Sequence, residues 1–310
     1  MPPPSRPLCA EVSREIAEPL AATASRVDHW ILVEYRGLWG YDAAASSGLP
    51  EPVKAHLRER AAALGRAKVL FIRRTERRGR RGLAVLWGAS TERGARLSAA
   101  EVARYEDLHE LDFAGAAGPP LERPLLLVCT HGKHDRCCAR YGRPLYEALR
   151  EAAEEGWVWQ CTHIGGDRFA GNLIVLPEGL YFGRVEPADA WTVLDEYLAG
   201  RIHLERYRGR CCYPFPAQAA ERLVRDELGL VGLDDLSLLG VERERQAWVV
   251  RFRAGARECQ AWVVRFRAGA RECAVDVVQE AGELTHLTCS AEALTHPRRF
   301  AARSLRVSAA

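Results

Sequence analysis

The stretch that decides the fold runs from Leu125 to Cys138 and reads LLLVCTHGKHDRCC. It begins with a short apolar run, Leu125–Cys129, that is typical of a buried strand, and it continues as a polar loop that contains a glycine. Cys129 and Cys138 are separated by eight residues, which is enough chain for the loop to fold back and present both thiolates to one metal ion. Because α/β folds gather functional groups at such strand ends, this segment is the first candidate for a functional site.

A second polar segment, Cys161–Asn172, reads CTHIGGDRFAGN and follows the predicted strand Trp157–Cys161. A predicted helix, Pro144–Glu155, lies between this strand and the first one. A strand–helix–strand unit of this kind forms parallel strands by a right-handed crossover, so both strand ends lie at the same edge of the sheet. The two polar segments are therefore expected to meet there.

The elements around this unit extend the pattern. Downstream, two strands joined by the turn Pro177-Glu178-Gly179 and a closing helix are predicted at Leu173–Leu176, Leu180–Arg184 and Ala188–Leu198. A βαβ unit followed by a hairpin and a closing helix is the thioredoxin arrangement. Upstream, a similar order of strand, helix, strand, strand and helix is predicted at Trp30–Tyr35, Glu51–Leu64, Lys68–Arg73, Leu83–Trp87 and Ala99–Leu108. The N-terminal half is therefore interpreted as a second, metal-free copy of the fold.

Three segments carry a resemblance to a known family: VCTHGKHDRCC at 128–138, THIGGDRFAGN at 162–172 and LPEGLYFGRV at 176–185. Over about residues 9–220 the chain resembles the sucrase/ferredoxin-like family, a branch of the thioredoxin-like ferredoxins. The resemblance implies a [2Fe–2S] cluster that is bound by two cysteines in C-x8-C spacing and two histidines in H-x3-H spacing. Carried over by position, the ligands are Cys129, Cys138 and His163, and Asp167 takes the place of the second histidine.

The identity of the fourth ligand stays open in the sequence. Asp167 offers a carboxylate oxygen, which ferric iron accepts although it is a harder donor than a cluster iron usually receives. The alternatives are solvent or one of four cysteines, Cys161, Cys137, Cys211 and Cys212. Imidazole on one iron and two thiolates on the other would raise the reduction potential and couple electron transfer to proton transfer, as in Rieske-type ligation.

Other residues near the two motifs receive simpler interpretations. His131 and His134 are interpreted as exposed loop histidines. Arg168 is interpreted either as a cation beside the cluster or as an ion-pair partner of Asp167. Cys9 is interpreted as a small buried hydrophobic residue, which is the commonest role of a free cysteine.

The predicted fold class is α/β, with three regions along the chain. An N-terminal α/β domain is predicted at 9–115, a thioredoxin-like ferredoxin domain at 121–205 and a small C-terminal α+β region at 214–305. The third region contains QAWVVRFRAGAREC twice in tandem, at Gln246–Cys259 and Gln260–Cys273. Because natural structural repeats drift in sequence, the identical pair is interpreted as a recent duplication that adds a strand or a loop. Cys259 and Cys273 are therefore not counted as a site.

Composition and charge limit the possible compartment and partners of the protein. The chain has 310 residues and a formal net charge of only +3, so no basic excess points to nucleic acid or to a membrane surface. No apolar run approaches the ~18 residues of a membrane span, and residues 1–6 lack the apolar core of a secretory signal. A cytoplasmic protein is expected. In that compartment ten cysteines favour metal binding or redox chemistry over structural disulfides.

The favoured function is electron transfer by a non-catalytic protein that takes electrons from an unidentified donor reductase and passes them to an acceptor. The alternative is a zinc site with the same cysteine and histidine ligands, which tetrahedral zinc also accepts. A dithiol oxidoreductase is disfavoured because no Cys-x-x-Cys pair lies at the strand-to-helix turn. Sucrose hydrolysis is rejected because no spacing singles out the two carboxylates that a glycosidase requires.

Overall fold

The computed structural model describes residues 7–75, 82–114, 118–244, 247–254 and 271–309. Cys259 and residues 260–270 of the second repeat copy lie outside this part of the chain. The described residues form a nine-stranded mixed sheet and a separate four-stranded antiparallel sheet, with five α-helices. The predicted α/β class is confirmed. None of the helices in these ranges is both long and apolar enough to cross a lipid bilayer.

The second half of the large sheet has the thioredoxin arrangement. Its elements in chain order are β5 (Leu125–Cys129), α3 (Arg136–Ala152), β6 (Val158–Cys161), β7 (Leu173–Leu176), β8 (Leu180–Phe182) and α4 (Ala190–Leu198). Strand β5 pairs in parallel with β6 and antiparallel with β7, which pairs antiparallel with β8. The strand order β6-β5-β7-β8 therefore places the carboxyl ends of β5 and β6 side by side, as the sequence predicts.

The start of helix α3 differs from the prediction. The helix begins at Arg136, whereas Pro144 was expected to open it, and Pro144 lies inside it. The side chain of Asp135 accepts a hydrogen bond from the Cys137 N–H and caps the first turn, so the helix starts before the proline. This early start fixes Cys138 in the first helical turn.

The first half of the large sheet has the same strand order. Its elements are β1 (His29–Glu34), α2 (Glu51–Leu64), β2 (Ala67–Arg73), β3 (Leu83–Thr91) and β4 (Gly94–Val102). Strand β1 pairs in parallel with β2 and antiparallel with β3, and β3 pairs with β4. The order β2-β1-β3-β4 thus repeats the order of the second half.

The predicted helix Ala99–Leu108 is wrong. Residues up to Val102 belong to β4, which pairs with β3 through Leu86↔Ala99, and only a short 3-10 helix, Tyr105–Glu110, follows. The Ala-rich composition favours a helix locally, but the hairpin pairing with β3 overrides that propensity.

The two halves meet where β2 and β6 pair antiparallel at their carboxyl ends, through Ile72↔Cys161 and Arg73↔Gln160. Side chains from both halves then pack against each other in one shared core that includes Trp30, Leu32, Leu70, Leu86, Leu125, Leu127, Trp159 and Ile174. On the other face of the sheet, α2 covers the first half, and α3 and α4 cover the second half. Because the two halves meet at the carboxyl ends of β2 and β6, the loop that follows β1 lies close to the ends of β5 and β6.

The rest of the chain extends and flanks this sheet. Helix α1 (Cys9–Glu15) precedes the first strand, and β9 (Tyr207–Arg210) adds an edge strand beside β8. Helix α5 (Phe215–Leu228) then packs on the four-stranded sheet of β10 (Leu236–Glu244), β11 (Ala247–Ala254), β12 (Arg271–Ala281) and β13 (Arg298–Ala309). The first repeat copy forms β11, and the last residue of the second copy, Cys273, is buried in the core of this small sheet.

Candidate metal centre

The carboxyl ends of β5 and β6 bring the predicted ligands together. Cys129 is the last residue of β5, Cys138 lies in the first turn of α3, and His163 follows the end of β6. The ligand atoms of these three residues all lie within 4.8 Å of one another. Both cysteines are buried, and the His163 side chain is one-quarter exposed. Three donors from separate elements therefore converge at one sheet edge.

Asp167 lies against two of these donors. Two glycines with left-handed backbone, Gly165 and Gly166, turn the chain after His163 and start a short 3-10 helix at Asp167. The Asp167 carboxylate is 2% exposed, and its Oδ1 accepts a hydrogen bond from the Cys138 thiol at 3.0 Å. The same oxygen lies 2.9 Å from His163 Nδ1. Asp167 is therefore held within reach of any metal that these residues bind.

The His163 ring offers a donor atom for a metal. Nδ1 is buried and has no hydrogen-bond partner of good geometry in the described part of the chain, although the Asp167 carboxylate is beside it. Burial acts to lower the pKa of His163, but contact with Asp167 and Cys129 outweighs it and raises the pKa to about 9. Burial acts to raise the pKa of Asp167, and contact with His163 reverses this effect and lowers it.

The two thiols differ in acidity. Contact with the Cys138 thiol lowers the pKa of Cys129, and contact with His163 lowers it further. The same contact, together with burial, raises the pKa of Cys138. One thiolate is thus stabilised beside one thiol. Because a metal takes both sulfurs as thiolates, its binding displaces the Cys138 proton.

His131 is not the exposed loop histidine that the sequence suggested. It is 2% exposed, because residues after β1 lie over it. Its Nε2 lies 2.6 Å from the carbonyl oxygen of Gly40, and its Nδ1 accepts a hydrogen bond from the backbone N–H of His163 at 3.3 Å. Both ring nitrogens are therefore engaged with backbone, and His131 positions the His163 loop rather than offering a ligand.

His134 is part of a ring stack that leads away from the centre. Its ring lies 3.8 Å from the His163 ring and 5.0 Å from the ring of Tyr41, centroid to centroid, with nearly parallel planes. Its Nε2 is 4.0 Å from Asp167 Oδ2. His134, His163 and Asp167 form a second group whose ligand atoms lie within 4.8 Å. His134 is therefore a further candidate for the fourth ligand, in addition to those that the sequence offers.

The four cysteines that the sequence offers as fourth ligands are not part of the convergent group. Cys161 is the pairing partner of Cys129 in the sheet and shares the core with it, and Cys211 lies in the same core beside Gly179. Cys212 belongs to the core of the small C-terminal sheet. Cys137 contacts Cys9 and another cysteine on the far side of α3. Among the candidates that the sequence offered, only Asp167 contacts both Cys138 and His163 in the described structure.

Two cations lie behind the centre. Lys68 is half-buried on β2; burial lowers its pKa, while the charges of Cys129, Cys161 and Asp167 act in the opposite direction. Arg208 is 1% exposed and donates to neutral groups of the chain, namely Thr23 Oγ1, Thr23 O, Gly165 O and Asn172 Oδ1. Burial lowers the pKa of Arg208 to about 10, so it stays charged at neutral pH.

Arg168 is paired with a residue other than Asp167. Its Nε pairs with Glu18 Oε1 at 2.8 Å, and its guanidinium lies over the ring of Phe169 at 4.4 Å. It therefore ties the segment after α1 to the loop that carries Asp167.

Residues of the first half of the sheet, among them Trp39 and Arg73, lie over this edge and are called the cover below. The Trp39 ring meets His131 edge-on at 5.8 Å, and the Arg73 guanidinium lies over Trp39 at 3.9 Å. Beside them a cavity of about 230 Å³ is lined by residues of both halves, among them Tyr41, Asp42, Phe71, His131, His134 and His163. The first half of the sheet therefore covers part of the centre.

Comparison with known proteins identifies the family. The model of the sucrase/ferredoxin-like family matches residues 20–209, which is more than half of the chain. The chain belongs to the sucrase/ferredoxin-like family. This matched range includes both sheet halves and the convergent Cys129, Cys138 and His163, so the family assignment covers the candidate centre as well as the fold.

Curated relatives of this sucrase/ferredoxin-like protein share one segment with it. The altered inheritance of mitochondria protein 32 of Eremothecium gossypii is 35% identical over 113 residues, which cover 30% of this chain and 36% of the relative. The protein of the same name from Meyerozyma guilliermondii is 34% identical over 95 residues, which cover 27% and 34%. The chain therefore spans about a third of the length of these relatives.

Two solved structures of cysteine-to-serine variants of the thioredoxin-like [2Fe-2S] ferredoxin from Aquifex aeolicus also match the sucrase/ferredoxin-like chain. One is 17% identical with a TM-score of 0.26 and covers 28% of this chain and 100% of its own. The other is 20% identical with a TM-score of 0.24 and covers 27% and 96%.

Proposed function

We propose that this protein binds a [2Fe–2S] cluster and transfers electrons one at a time. The observation that carries the proposal is the convergence of Cys129, Cys138 and His163, whose ligand atoms lie within 4.8 Å of one another at a buried sheet edge. Two thiolates and an imidazole are the donor types of a mixed-ligand [2Fe–2S] centre. Membership of the sucrase/ferredoxin-like family supports the same function.

In this proposal Cys129 and Cys138 bind one iron, and His163 and Asp167 bind the other. The buried Nδ1 of His163 fits a metal because its neighbour at 2.9 Å is Asp167 Oδ1, which this proposal assigns to the same iron. Asp167 is chosen as the fourth ligand because its carboxylate contacts both Cys138 and His163. When bound, the cluster supplies a one-electron acceptor whose potential is raised by nitrogen ligation.

Residues that do not bind the metal control its surroundings. The cover that includes Trp39 and the neighbouring His131 lies over part of the sheet edge, where the side chains of Cys129 and Cys138 are buried. Lys68 and Arg208 place positive charge near the centre, since their pKa values respond to the charges of Cys129 and Asp167. A reduced cluster carries one more negative charge than an oxidised one, so these cations favour the reduced form.

The ring stack suggests where electrons enter and leave. From His163 the stack passes through His134 to Tyr41, which is 63% exposed. The partners that this function requires are a donor reductase and an electron acceptor, and both would approach the Tyr41 face. At that face the centre is closest to solvent, because His163 and His134 are partly exposed.

One observation favours zinc as a second candidate. Two sulfurs and one nitrogen within 4.8 Å of one another are a donor set that a single tetrahedral ion also accepts. Tetrahedral zinc binds cysteine and histidine with bond lengths of about 2.0–2.3 Å, so its ligand atoms lie less than about 4 Å apart. A protein of this kind would be colourless and redox-inactive.

The test is an absorbance spectrum of the full chain purified without oxygen, with iron, zinc and acid-labile sulfide measured on the same sample. The proposal predicts a red-brown protein with about two irons and two sulfides per chain. A colourless protein that contains no iron after reconstitution with iron and sulfide would overturn it, and zinc that disappears in Cys129→Ser would establish the second candidate.

A further inference from the structure

A second group of metal-binding side chains lies on the other side of helix α3. It consists of Cys9 from α1, Asp135 and Cys137 from the start of α3, and Cys289 from the loop 282–297 between β12 and β13. Their ligand atoms lie within 4.8 Å of one another. The proposed electron-transfer centre uses none of them.

The adjacent cysteines of α3 belong to different groups because of helix geometry. Successive side chains on an α-helix point about 100° apart. Cys138 therefore faces the edge of β5 and β6, while Cys137 faces α1 and is packed with Cys9, Ala10 and Ala170. The Cys137-Cys138 pair thus serves two sites.

The three sulfurs form a nearly equilateral triangle. The Sγ–Sγ distances are 3.6 Å from Cys9 to Cys137, 3.4 Å from Cys137 to Cys289 and 3.6 Å from Cys289 to Cys9. A disulfide requires about 2.05 Å, so all three contacts are between unbonded thiols. With Zn–S bonds of about 2.3 Å, tetrahedral zinc holds its sulfurs about 3.8 Å apart. The observed triangle is close to that size.

Asp135 supplies the fourth corner. Its Oδ2 lies 3.8 Å from Cys9 Sγ, and its Oδ1 lies 4.0 Å from the same sulfur. The carboxylate is oriented by two backbone donors, because Oδ1 accepts from the Cys137 N–H at 2.8 Å and Oδ2 accepts from the Cys289 N–H at 2.6 Å. Outer hydrogen bonds that orient a ligating carboxylate in this way are usual around protein-bound metals.

Two backbone N–H groups also act on the sulfurs. The Ala10 N–H acts to lower the pKa of Cys137, and the Cys9 N–H acts to lower the pKa of Cys289. Such donors offset the negative charge that thiolates carry when they bind a metal. Cys9, Cys137 and Asp135 are buried, and Cys289 is half-buried, so the group is closed to substrates.

We propose that Cys9, Cys137, Cys289 and Asp135 form a structural zinc site. Zinc is the metal that fits, because it favours thiolate-rich tetrahedral sites and fills all four positions when its role is structural. The site joins segments that are far apart in the sequence: helix α1, the start of α3, and the loop between β12 and β13. It fastens the C-terminal sheet and the N-terminal helix to the half that carries the electron-transfer centre.

The experiment measures zinc and iron together in the full chain, grown with both metals, and in single cysteine variants. We expect about one zinc per chain in the unaltered protein. Cys9→Ser and Cys289→Ser should lose that zinc and keep the iron content, whereas Cys129→Ser should lose iron and keep the zinc. Cys212→Ser is the matched control, because it removes a buried thiol from another core and should keep both metals.

A second measurement covers the case in which a serine variant does not fold. The unaltered chain is exchanged with Co²⁺, and the tetrahedral ligand-field bands and thiolate charge-transfer bands of the bound ion are recorded. We expect both sets of bands, and their loss in Cys289→Ser, whose altered side chain lies in a half-buried loop. The proposal is overturned by zinc that persists in both Cys9→Ser and Cys289→Ser. It is equally overturned by a chain that takes up neither Zn²⁺ nor Co²⁺ in addition to its iron, or by a disulfide between two of the three cysteines.

Discussion

The two halves of the large sheet have the same strand order but end their first strands differently. In the second half, β5 ends at Cys129, which contacts Cys138 and His163. In the first half, β1 ends at Glu34, whose carboxylate accepts a hydrogen bond from the Ala84 N–H at 2.9 Å and pairs with Arg36 at 3.2 Å. One strand end presents a thiol of the proposed metal centre, and the other fixes a neighbouring strand. The same topology therefore carries different chemistry, which is set by individual side chains at the strand ends.

The loops after these strands differ in length and in role. Residues 130–135 connect β5 to α3 directly, so Cys138 stays close to Cys129. Residues 35–50 connect β1 to α2 by a longer path, and their Trp39, Gly40 and Tyr41 contact His131 and His134 of the other half. The candidate ligands thus belong to the second half, and the first half covers them.

The largest expected effect is a difference in iron content between variants at the two strand ends, Cys129 and Glu34. Cys129→Ser removes a thiolate ligand, and we expect the visible absorbance and the iron content to be lost completely. Glu34→Gln changes the matching position of the first half while keeping its shape and an acceptor oxygen. It should lower stability by no more than about 2 kcal/mol and leave the iron content unchanged. Loss of iron in Glu34→Gln with the fold intact would show that both strand ends take part in the centre.

A second pair of variants tests the fourth ligand. Asp167→Ala should leave a labile cluster that is lost on gel filtration, because it removes the carboxylate that contacts both Cys138 and His163. His134→Ala should keep the cluster through the same procedure. The measurement is the iron-to-protein ratio before and after filtration. The reverse result, with His134→Ala labile and Asp167→Ala stable, would transfer the fourth position to His134.

The third prediction concerns the cover. Trp39 is 5% exposed and packs on His131, so Trp39→Ala should lower the free energy of unfolding by about 3 kcal/mol and speed the bleaching of the cluster in air. Leu38 is the adjacent residue and is 88% exposed, so Leu38→Ala should change neither quantity. Denaturant titration and absorbance decay measure the two effects. Equal bleaching rates in both variants would contradict a protective role of the first half.

The smallest expected effect concerns the cation on β2. Lys68→Gln removes a positive charge beside Cys129 and Asp167, so the reduced cluster loses stabilisation and the potential should fall by tens of millivolts, on the order expected for one partly buried charge. Lys68→Arg keeps the charge and should leave the potential nearly unchanged. Protein-film voltammetry measures both. A higher potential in Lys68→Gln would contradict the proposed influence of this cation.

The sequence predicted most of the second half because its signals are local. The strand Leu173–Leu176 has the predicted bounds. The crossover rule predicts that the ends of β5 and β6 lie together, as they do in the structure. The same rule led to the meeting of Cys129 and His163. Where the prediction failed, a specific hydrogen-bonding pattern overrode the local preference of the residues. Pairing of β4 with β3 replaced a predicted helix at Ala99–Leu108, and the Asp135 cap started α3 early.

The parts of the sites that the sequence missed depend on contacts between distant segments. His131 is buried only because Gly40 and Trp39 lie over it. Cys9 and Cys289 are separated by most of the chain, and neither lies in a spacing that suggests a partner. Sequence patterns indicate ligands that are a few residues apart. They do not show which residues from three separate segments lie together in the fold.

The most direct test of the account is pulsed electron paramagnetic resonance of the reduced full chain. The account predicts the signal of a [2Fe–2S] cluster with a strong coupling to one imidazole nitrogen, that of His163, and this coupling should disappear in His163→Cys. Asp167→His should add a second nitrogen of similar strength. A cluster signal without any strongly coupled nitrogen in the unaltered protein would contradict ligation by His163, and the absence of a cluster signal from reconstituted, reduced protein would contradict the central claim.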